Sequence, residues 1–449
     1  MHHFDPGLEQ ITDSVLEYVR WRLALDPVSL DSTATPEELD AAAPSLISEE
    51  GTDADLVLRQ FTDILAPRVI SVDSPRFLSF IPAAPTKASM LFDAVVSASS
   101  LNGTSWLEAA GVVHAENQVL RFLADLAGLP QSAGGCFLSG GSAGNLSALV
   151  VARDMARHRG RLDGSVRPRI LASDQTHSSV TNTARILDAV VERVPTHDER
   201  LTGESVAEFL RADPDPNSVV AVVATAGTTN AGIIDDLEGV GRVAAEHGLW
   251  FHVDAAYGGA GLLAPSVRDR FAGIEMADSM VVDPHKWMFA PFDCAALLYR
   301  EPRYARAVHT QDASYLDSIH EPEAWNPTDY AYHLTRRARG LAMWFSLCVH
   351  GVGAYREAVE SSLALARWTA RRVEGHPRLE LIREPELSIV MFRRLGWTDA
   401  DYDSWSKKLL DDQVGFVLPS AWHGEPMLRL AFLHPSTDES IVEEILARL

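Results

Sequence analysis

Four short segments of this 449-residue chain carry the residue types that bind anions, hold protons and attack carbonyls. The first is Phe137-Leu138-Ser139-Gly140-Gly141-Ser142-Ala143-Gly144-Asn145-Leu146, with glycines and hydroxyls just ahead of a helical stretch. A helix start offers unpaired N–H groups and the positive end of the dipole, and glycine lets an anion approach the backbone. The pattern is neither the dinucleotide glycine fingerprint nor a Walker loop, and it reads equally as an anion cradle or a tight turn. The second, Ser173-Asp174-Gln175-Thr176-His177-Ser178-Ser179, follows an apolar run, the place where open α/β sheets bind ligands. It reads also as an ordinary capped helix start with His177 exposed. In the third, His252-Val253-Asp254-Ala255-Ala256-Tyr257-Gly258-Gly259, Asp254 closes a strongly apolar run, where a carboxylate is costly unless paired. Asp254 either caps the turn or serves a buried basic group, and the two small residues after it leave room for something flat. The fourth, Val281-Val282-Asp283-Pro284-His285-Lys286-Trp287, sets Lys286 just past another apolar run. A lysine held among apolar groups has a lowered pKa and attacks carbonyls, although the commoner fate of lysine is to snorkel to the surface.

Each segment alone has a bland reading, but the four together describe what pyridoxal phosphate requires. Its phosphate needs a helix start, its pyridine nitrogen an acidic partner, and its aldehyde an amine. The elements that must position these groups are strands alternating with helices. Apolar, β-branched runs recur at 169–172, 190–194, 219–225, 249–255, 280–282 and 295–299, with helical stretches such as 145–158 and 237–247 between them. That alternation predicts a mainly parallel sheet covered on both faces. Ahead of it, Leu8, Ile11, Val15 and Val19 recur at helical spacing, and 54–65 repeats the pattern. Such thin helices must lie on the body of the chain or on a partner. After it come a long helix at 341–373 and strand-like pieces at 387–392 and 427–432, which read as a smaller α/β cap.

Composition narrows the function classes. Lys and Arg number 39 against 62 Asp and Glu, a formal net charge of −23, which argues against neutralising nucleic-acid phosphates or anionic lipid. The three cysteines, Cys136, Cys294 and Cys348, form no ligand-like pair, so neither a disulfide framework nor a metal site is expected. No window approaches the roughly 18 apolar residues of a membrane span, and Met1-His2-His3-Phe4-Asp5 lacks the basic start of a targeting segment. A cytoplasmic location is the expectation.

The chain resembles the group II pyridoxal-phosphate-dependent amino-acid decarboxylases, which include the aromatic amino-acid and glutamate enzymes. The likeness runs from about Pro75 to the C-terminus. Asp283-Pro284-His285-Lys286-Trp287 is its most specific motif, and Phe80-Ile81-Pro82, Trp106 with Glu116, Thr225-Ala226-Gly227-Thr228-Thr229, Arg336-Arg337-Ala338-Arg339 and Leu428-Arg429-Leu430 follow in the family's order. The resemblance implies an aspartate-aminotransferase-like large domain (86–343), an N-terminal helical segment (1–85) packed on the other subunit of a homodimer, and a small C-terminal domain (344–449). It implies that Lys286 carries the cofactor as a Schiff base, that Asp254 partners the ring nitrogen, and that His177 stacks on the ring over Ala256. Gly141, Ser142 and His285 are implied at the phosphate, and Thr225 near the ring. Arg429 is implied near the substrate carboxylate, and Phe80, Ile81, Pro82, Thr104 and Trp106 along the pocket wall.

The activity implied is conversion of an L-amino acid, aromatic or large and apolar, to its amine and CO2. A decarboxylating aldehyde synthase, an aminotransferase of the same fold and a non-catalytic homologue that only binds the cofactor are the other readings. Two departures matter. Asp283 stands where some members carry an Asn on the phosphate, and an ionised carboxylate cannot donate that bond. The loop tyrosine that returns a proton to the substrate carbon is matched by Tyr330, which follows Thr328-Asp329 but lies nearer Arg336 than in the animal aromatic enzymes, so Tyr332 is its rival. The stretch 309–332, broken by Pro322 and Pro327, is expected to be a mobile loop.

Overall fold

The computed structural model describes residues 2–163, 165–311 and 324–449. Val219–Thr225 (β4) is buried at every position, which a strand achieves only with helices on both faces. Among the described residues it belongs to a seven-stranded sheet with Gly134–Leu138 (β1), Arg169–Ala172 (β2), Val190–Arg193 (β3), Trp250–Asp254 (β5), Ser279–Val282 (β6) and Ala295–Tyr299 (β7). The order is β1-β7-β6-β5-β4-β2-β3. Strands β3, β2, β4, β5 and β6 run parallel, and β7 runs antiparallel to both β6 and β1. Side chains alternate across the sheet. On β7, Ala296 and Leu298 join one apolar cluster, whereas Ala295, Leu297 and Tyr299 join the cluster on the opposite face.

Trp106–Leu126 (α5), Gly203–Ala212 (α8), Leu237–His247 (α9) and the first half of Leu341–Glu374 (α11) build the first cluster, and Lys87–Ala98 (α4) lies against α11. Gly141–His158 (α6), Ser178–Ile186 (α7) and Pro302–His309 (α10) build the second. The parallel sheet with helices on both faces is the architecture expected from the alternating runs. Strand β1 was not legible in those runs, because it opens on two glycines. A Cβ on Gly135 would lie 1.8 Å from the Leu297 carbonyl oxygen, so the approach of β7 admits no side chain there.

Helix α11 turns at Gly351, whose φ of 74° suits glycine. Its second half packs with Asp399–Asp411 (α12) and Glu439–Leu446 (α13) on a small antiparallel sheet. That sheet comprises Leu379–Arg383 (β8), Ile389–Arg394 (β9), Pro419–Trp422 (β10) and Glu425–Ala431 (β11), ordered β10-β11-β9-β8. At the other end of the chain, Pro6–Ala24 (α1), Pro36–Ala42 (α2) and Ala54–Arg59 (α3) bury no residue of their own. Leu8, Ile11 and Val15 stay exposed, as do Leu56, Val57 and Phe61.

One buried ion pair fixes the approach to α11. Both carboxylate oxygens of Glu116 lie 2.7 Å from Arg336 Nη2, and Glu116 also accepts the Gly340 N–H at 2.8 Å. Arg336 Nη1 donates to the Gly103 carbonyl at 2.7 Å. Removing one partner of such a pair strands the other charge away from water. Glu116→Ala is expected to lower the unfolding free energy by about 3 kcal/mol, read from urea denaturation. Asp93→Ala, which releases the partly exposed Arg337, should cost about 1 kcal/mol or less. Equal losses would contradict this ranking.

Candidate active site

Strand register does the assembling. Thr225 pairs with Asp254, and Asp254 with Val281, so β4, β5 and β6 end level with one another. Beyond β6 the chain turns through Asp283, Pro284 and His285 to Lys286, while α6 begins nearby at Gly141. These ends and His177, ahead of α7, enclose a cavity of about 240 Å³. Its wall brings together Gly141, Ser142, His177, Thr225, Asp254, Ala256, His285 and Lys286, the residues that the sequence set beside a cofactor. A larger cavity of about 600 Å³ lies between the end of α1 and α11. Its lysine, Lys87, is exposed and donates to the Leu25 carbonyl at 3.2 Å, so no lysine is held there for attack.

Lys286 Nζ lies 2.9 Å from Asp283 Oδ2. Burial pulls its pKa down, but the charge and hydrogen bond of Asp283, and then the charge of Asp254, outweigh burial and leave the pKa raised. The expectation of a lowered pKa is therefore corrected: the apolar strand ends bring two carboxylates into the same pocket. Asp254 is 5% exposed and accepts from Asn145 Nδ2 at 2.9 Å and from the Ala256 N–H at 3.1 Å. His177 caps α7, its Nδ1 accepting the Ser179 N–H at 3.2 Å. His285 Nδ1 donates to the Cys294 carbonyl at 2.6 Å, and burial, opposed by Asp283, lowers its pKa so that the ring is neutral.

Three observations fit this cavity to a phosphate-bearing aldehyde. No side chain caps the start of α6, which leaves its first N–H groups to an anion. A Cβ on Gly141 would lie 3.0 Å from Asp283 Oδ2 and 3.1 Å from Ala256 Cβ, so glycine keeps the cradle open. Thr225 Oγ1 and Asp283 Oδ1 are buried on the cavity wall without a hydrogen-bond partner, a rare condition for buried polar atoms. The pyridoxal-dependent decarboxylase conserved domain matches residues 36–395.

The chain belongs to the pyridoxal-dependent decarboxylases.

Its cofactor is pyridoxal 5'-phosphate. The decarboxylase is 29% identical to an aromatic-L-amino-acid decarboxylase of Bacillus atrophaeus, over 98% of this chain and 93% of that protein. It is also 29% identical to the 3,4-dihydroxyphenylacetaldehyde synthase of Aedes aegypti, over 90% of this chain and 81% of that one. Among solved structures it resembles Oryza sativa TDC with PLP and tryptamine, at 26% identity and a TM-score of 0.88, covering 99% of this chain and 97% of that one.

Several residues expected at the decarboxylase's site do not line this cavity. Arg429 is buried with its guanidinium donating to the carbonyls of Phe80, Thr229 and Asn230, so its donors already serve the backbone. Burial lowers its pKa to about 10. Phe80 is 60% exposed, and Trp106 opens α5 with its N–H donating to Asn326 Oδ1. Neither lines the cavity, nor do Ile81, Pro82 and Thr104. Tyr330 is not on a free loop. It is buried in the second apolar cluster, stacked on Trp325 at 4.3 Å between ring centroids. Burial pushes its phenol well up. Tyr332 is 53% exposed. Pro322 and the middle of the expected loop lie outside the described residues. Conversely, Asn145, Ser179, Thr229 and Tyr257 line the cavity and had no role from sequence. Asn145 follows Gly141 by four residues and shares its helix face, which was the available signal.

The Lys286–Asp283 pair sets a pH dependence. A raised folded-state pKa contributes stability that is present at neutral pH and is lost as pH climbs through the raised value. Cofactor capture needs the neutral amine, so the imine absorbance should form faster as pH rises. Asp283→Asn removes the main raising influence and should shift that profile to lower pH, measured by stopped-flow absorbance. An unmoved profile would refute the pairing, and Lys286→Ala should show no imine band at all.

Proposed function

We propose that this decarboxylase converts an aromatic or large apolar L-amino acid to its amine and CO2. The observation that carries the reading is the convergence of Lys286, Asp254 and His177 on one cavity whose phosphate end is an uncapped helix start. Lys286 holds the cofactor aldehyde, Gly141 and Ser142 offer backbone N–H groups to the phosphate, and His285 stands beside them. Thr225, with its unpartnered hydroxyl, and the small Ala256 would flank the ring. When bound, pyridoxal phosphate supplies the sink for the electron pair left behind as CO2 departs. Asp254 would hold a fixed negative charge for the ring nitrogen, and His177, on the same cavity wall, would help to exclude water. Asp254→Ala is expected to lower turnover by roughly 100- to 1,000-fold, as loss of one preorganised electrostatic partner does.

The preference for an aromatic substrate is supported by the similarity to an aromatic-L-amino-acid decarboxylase and to a TDC bound to tryptamine. We place Phe80 and Trp106 on a wall completed by a second subunit, because both are large, apolar and exposed. The uncovered apolar residues of α1 and α3, with Leu91, Val95 and Leu107, support the same homodimer. Free thiols at Cys136 and Cys294, both buried with raised pKa values, suit a reducing cytoplasm.

Proton delivery to the substrate carbon we place on Tyr332 in preference to Tyr330, since a buried, stacked phenol cannot reach a second site without unpacking. The burial of Tyr330 also favours a second reading, an oxygen-consuming aldehyde synthase. Assay of the common L-amino acids for CO2, amine, aldehyde and oxygen uptake separates these. Amine from Phe, Tyr or Trp without a keto acid and without oxygen uptake is the expected result. Turnover of glutamate or aspartate alone would overturn the substrate class. Tyr332→Phe should lose amine formation while keeping the imine band, and Tyr330→Phe should act through stability alone.

A further inference from the structure

Behind the cavity a chain of buried polar groups runs from Trp250 to His177, and only one assignment of its protons satisfies every member. Asn145 is 1% exposed, with Nδ2 2.9 Å from Asp254 Oδ2 and 2.8 Å from Ser179 Oγ. An ionised carboxylate only accepts, so the amide nitrogen of Asn145 must face Asp254. Its Oδ1 then faces His252 Nε2 at 2.8 Å, and His252 must donate there. The other ring nitrogen of His252 accepts from the Ser279 hydroxyl at 2.8 Å, and Ser279 Oγ accepts the Trp250 indole N–H at 2.8 Å. On the near side, Ser179 Oγ accepts the second amide proton of Asn145. Its hydroxyl donates to His177 Nδ1, 2.9 Å away. His177 Nδ1 also accepts the Ser179 backbone N–H, so the free donor of the neutral ring is Nε2–H.

We propose that Asn145 is a positioning residue for two groups of the site at once. It holds the Asp254 carboxylate toward the cavity and, through Ser179, fixes the His177 tautomer, with His252 setting the orientation of its amide. The inference rests on the roles given above to Asp254 and His177. Burial lowers the His252 pKa to about 4, against the pull of Asp254, so this ring stays neutral and its proton pattern does not change across physiological pH. Asp254 and His177 therefore form one coupled unit, because a single amide donates toward both.

The test uses the cofactor-loaded enzyme. Asn145→Ala removes a charge-assisted hydrogen bond to Asp254, which corresponds to roughly a 10- to 100-fold loss. The loss is expected in kcat with little change in KM, and the pH titration of the imine absorbance should shift. Ser179→Ala should move the pH–rate profile while leaving the imine titration near the parent's. In the Asn145→Ala background, Ser179→Ala should then have little further effect. A purely structural role would instead lower the melting temperature and leave the imine titration and the pH–rate profile where they were. Parent kcat and parent pH profiles in Asn145→Ala would overturn the proposal. Should Asn145→Ala fail to load cofactor, Ser179→Ala and His252→Gln decide: parent pH profiles in both would overturn it. Asp254→Ala and His177→Ala serve as controls. If they leave turnover unchanged, the site reading has failed; if they reduce it and Asn145→Ala does not, only the positioning inference has failed.

Discussion

A carboxylate at the buried end of a central strand must be given hydrogen bonds, and much of the site follows from how Asp254 receives them. The strand cannot supply them, because its own amides serve the sheet. Donors come from the Ala256 N–H just beyond the strand and from Asn145 on α6. For Asn145 to reach, the first turns of α6 must lie against the end of β5. That placement brings the uncapped helix start to the same cavity and makes the space at Gly141 tight for any side chain. A buried carboxylate and an uncapped helix start on one cavity are thus two consequences of one packing arrangement.

The charge within the cavity differs in character from the acidic surface. Lys286 pairs with Asp283, which is nearly inaccessible to water, and feels the charge of Asp254 as well. Such a pair costs desolvation on both sides and is held by close geometry. Its consequence is electrostatic: the carboxylates favour the charged form of the Lys286 amine over the neutral form. An amide in place of Asp283 would remove the main influence that raises the Lys286 pKa. Asp283 Oδ1, like Thr225 Oγ1, is buried without a hydrogen-bond partner.

Beyond the cavity, connections between the two sheets hold it in shape. Glu386, between β8 and β9, accepts from Arg200 at 2.7 Å and Arg383 at 3.0 Å. Arg429 on β11 fastens the carbonyls of Phe80, Thr229 and Asn230. Its three hydrogen bonds join the small sheet to the segment beside the cavity.

The mainly parallel sheet, and the charges placed at its strand ends, were legible from residue order alone, for physical reasons. Val219–Thr225 and Ala295–Tyr299 are unbroken apolar runs that no exposed element tolerates, and Asp254 and Lys286 are charges set where such runs end. Those signals are local, so they survive without coordinates. Strand β1 was hidden because Gly134 and Gly135 answer to the backbone of β7, a neighbour distant in sequence. Asn145 was hidden because its three partners come from β5 and α7, and one polar residue in a helix reads as surface. Tyr330 and Arg429 kept their family-like positions in the chain, but packing against Trp325 and three backbone carbonyls decided where their side chains went. The sign of the Lys286 pKa shift likewise depended on distance: the apolar run predicts burial, and only the fold brings two carboxylates close enough to outweigh it.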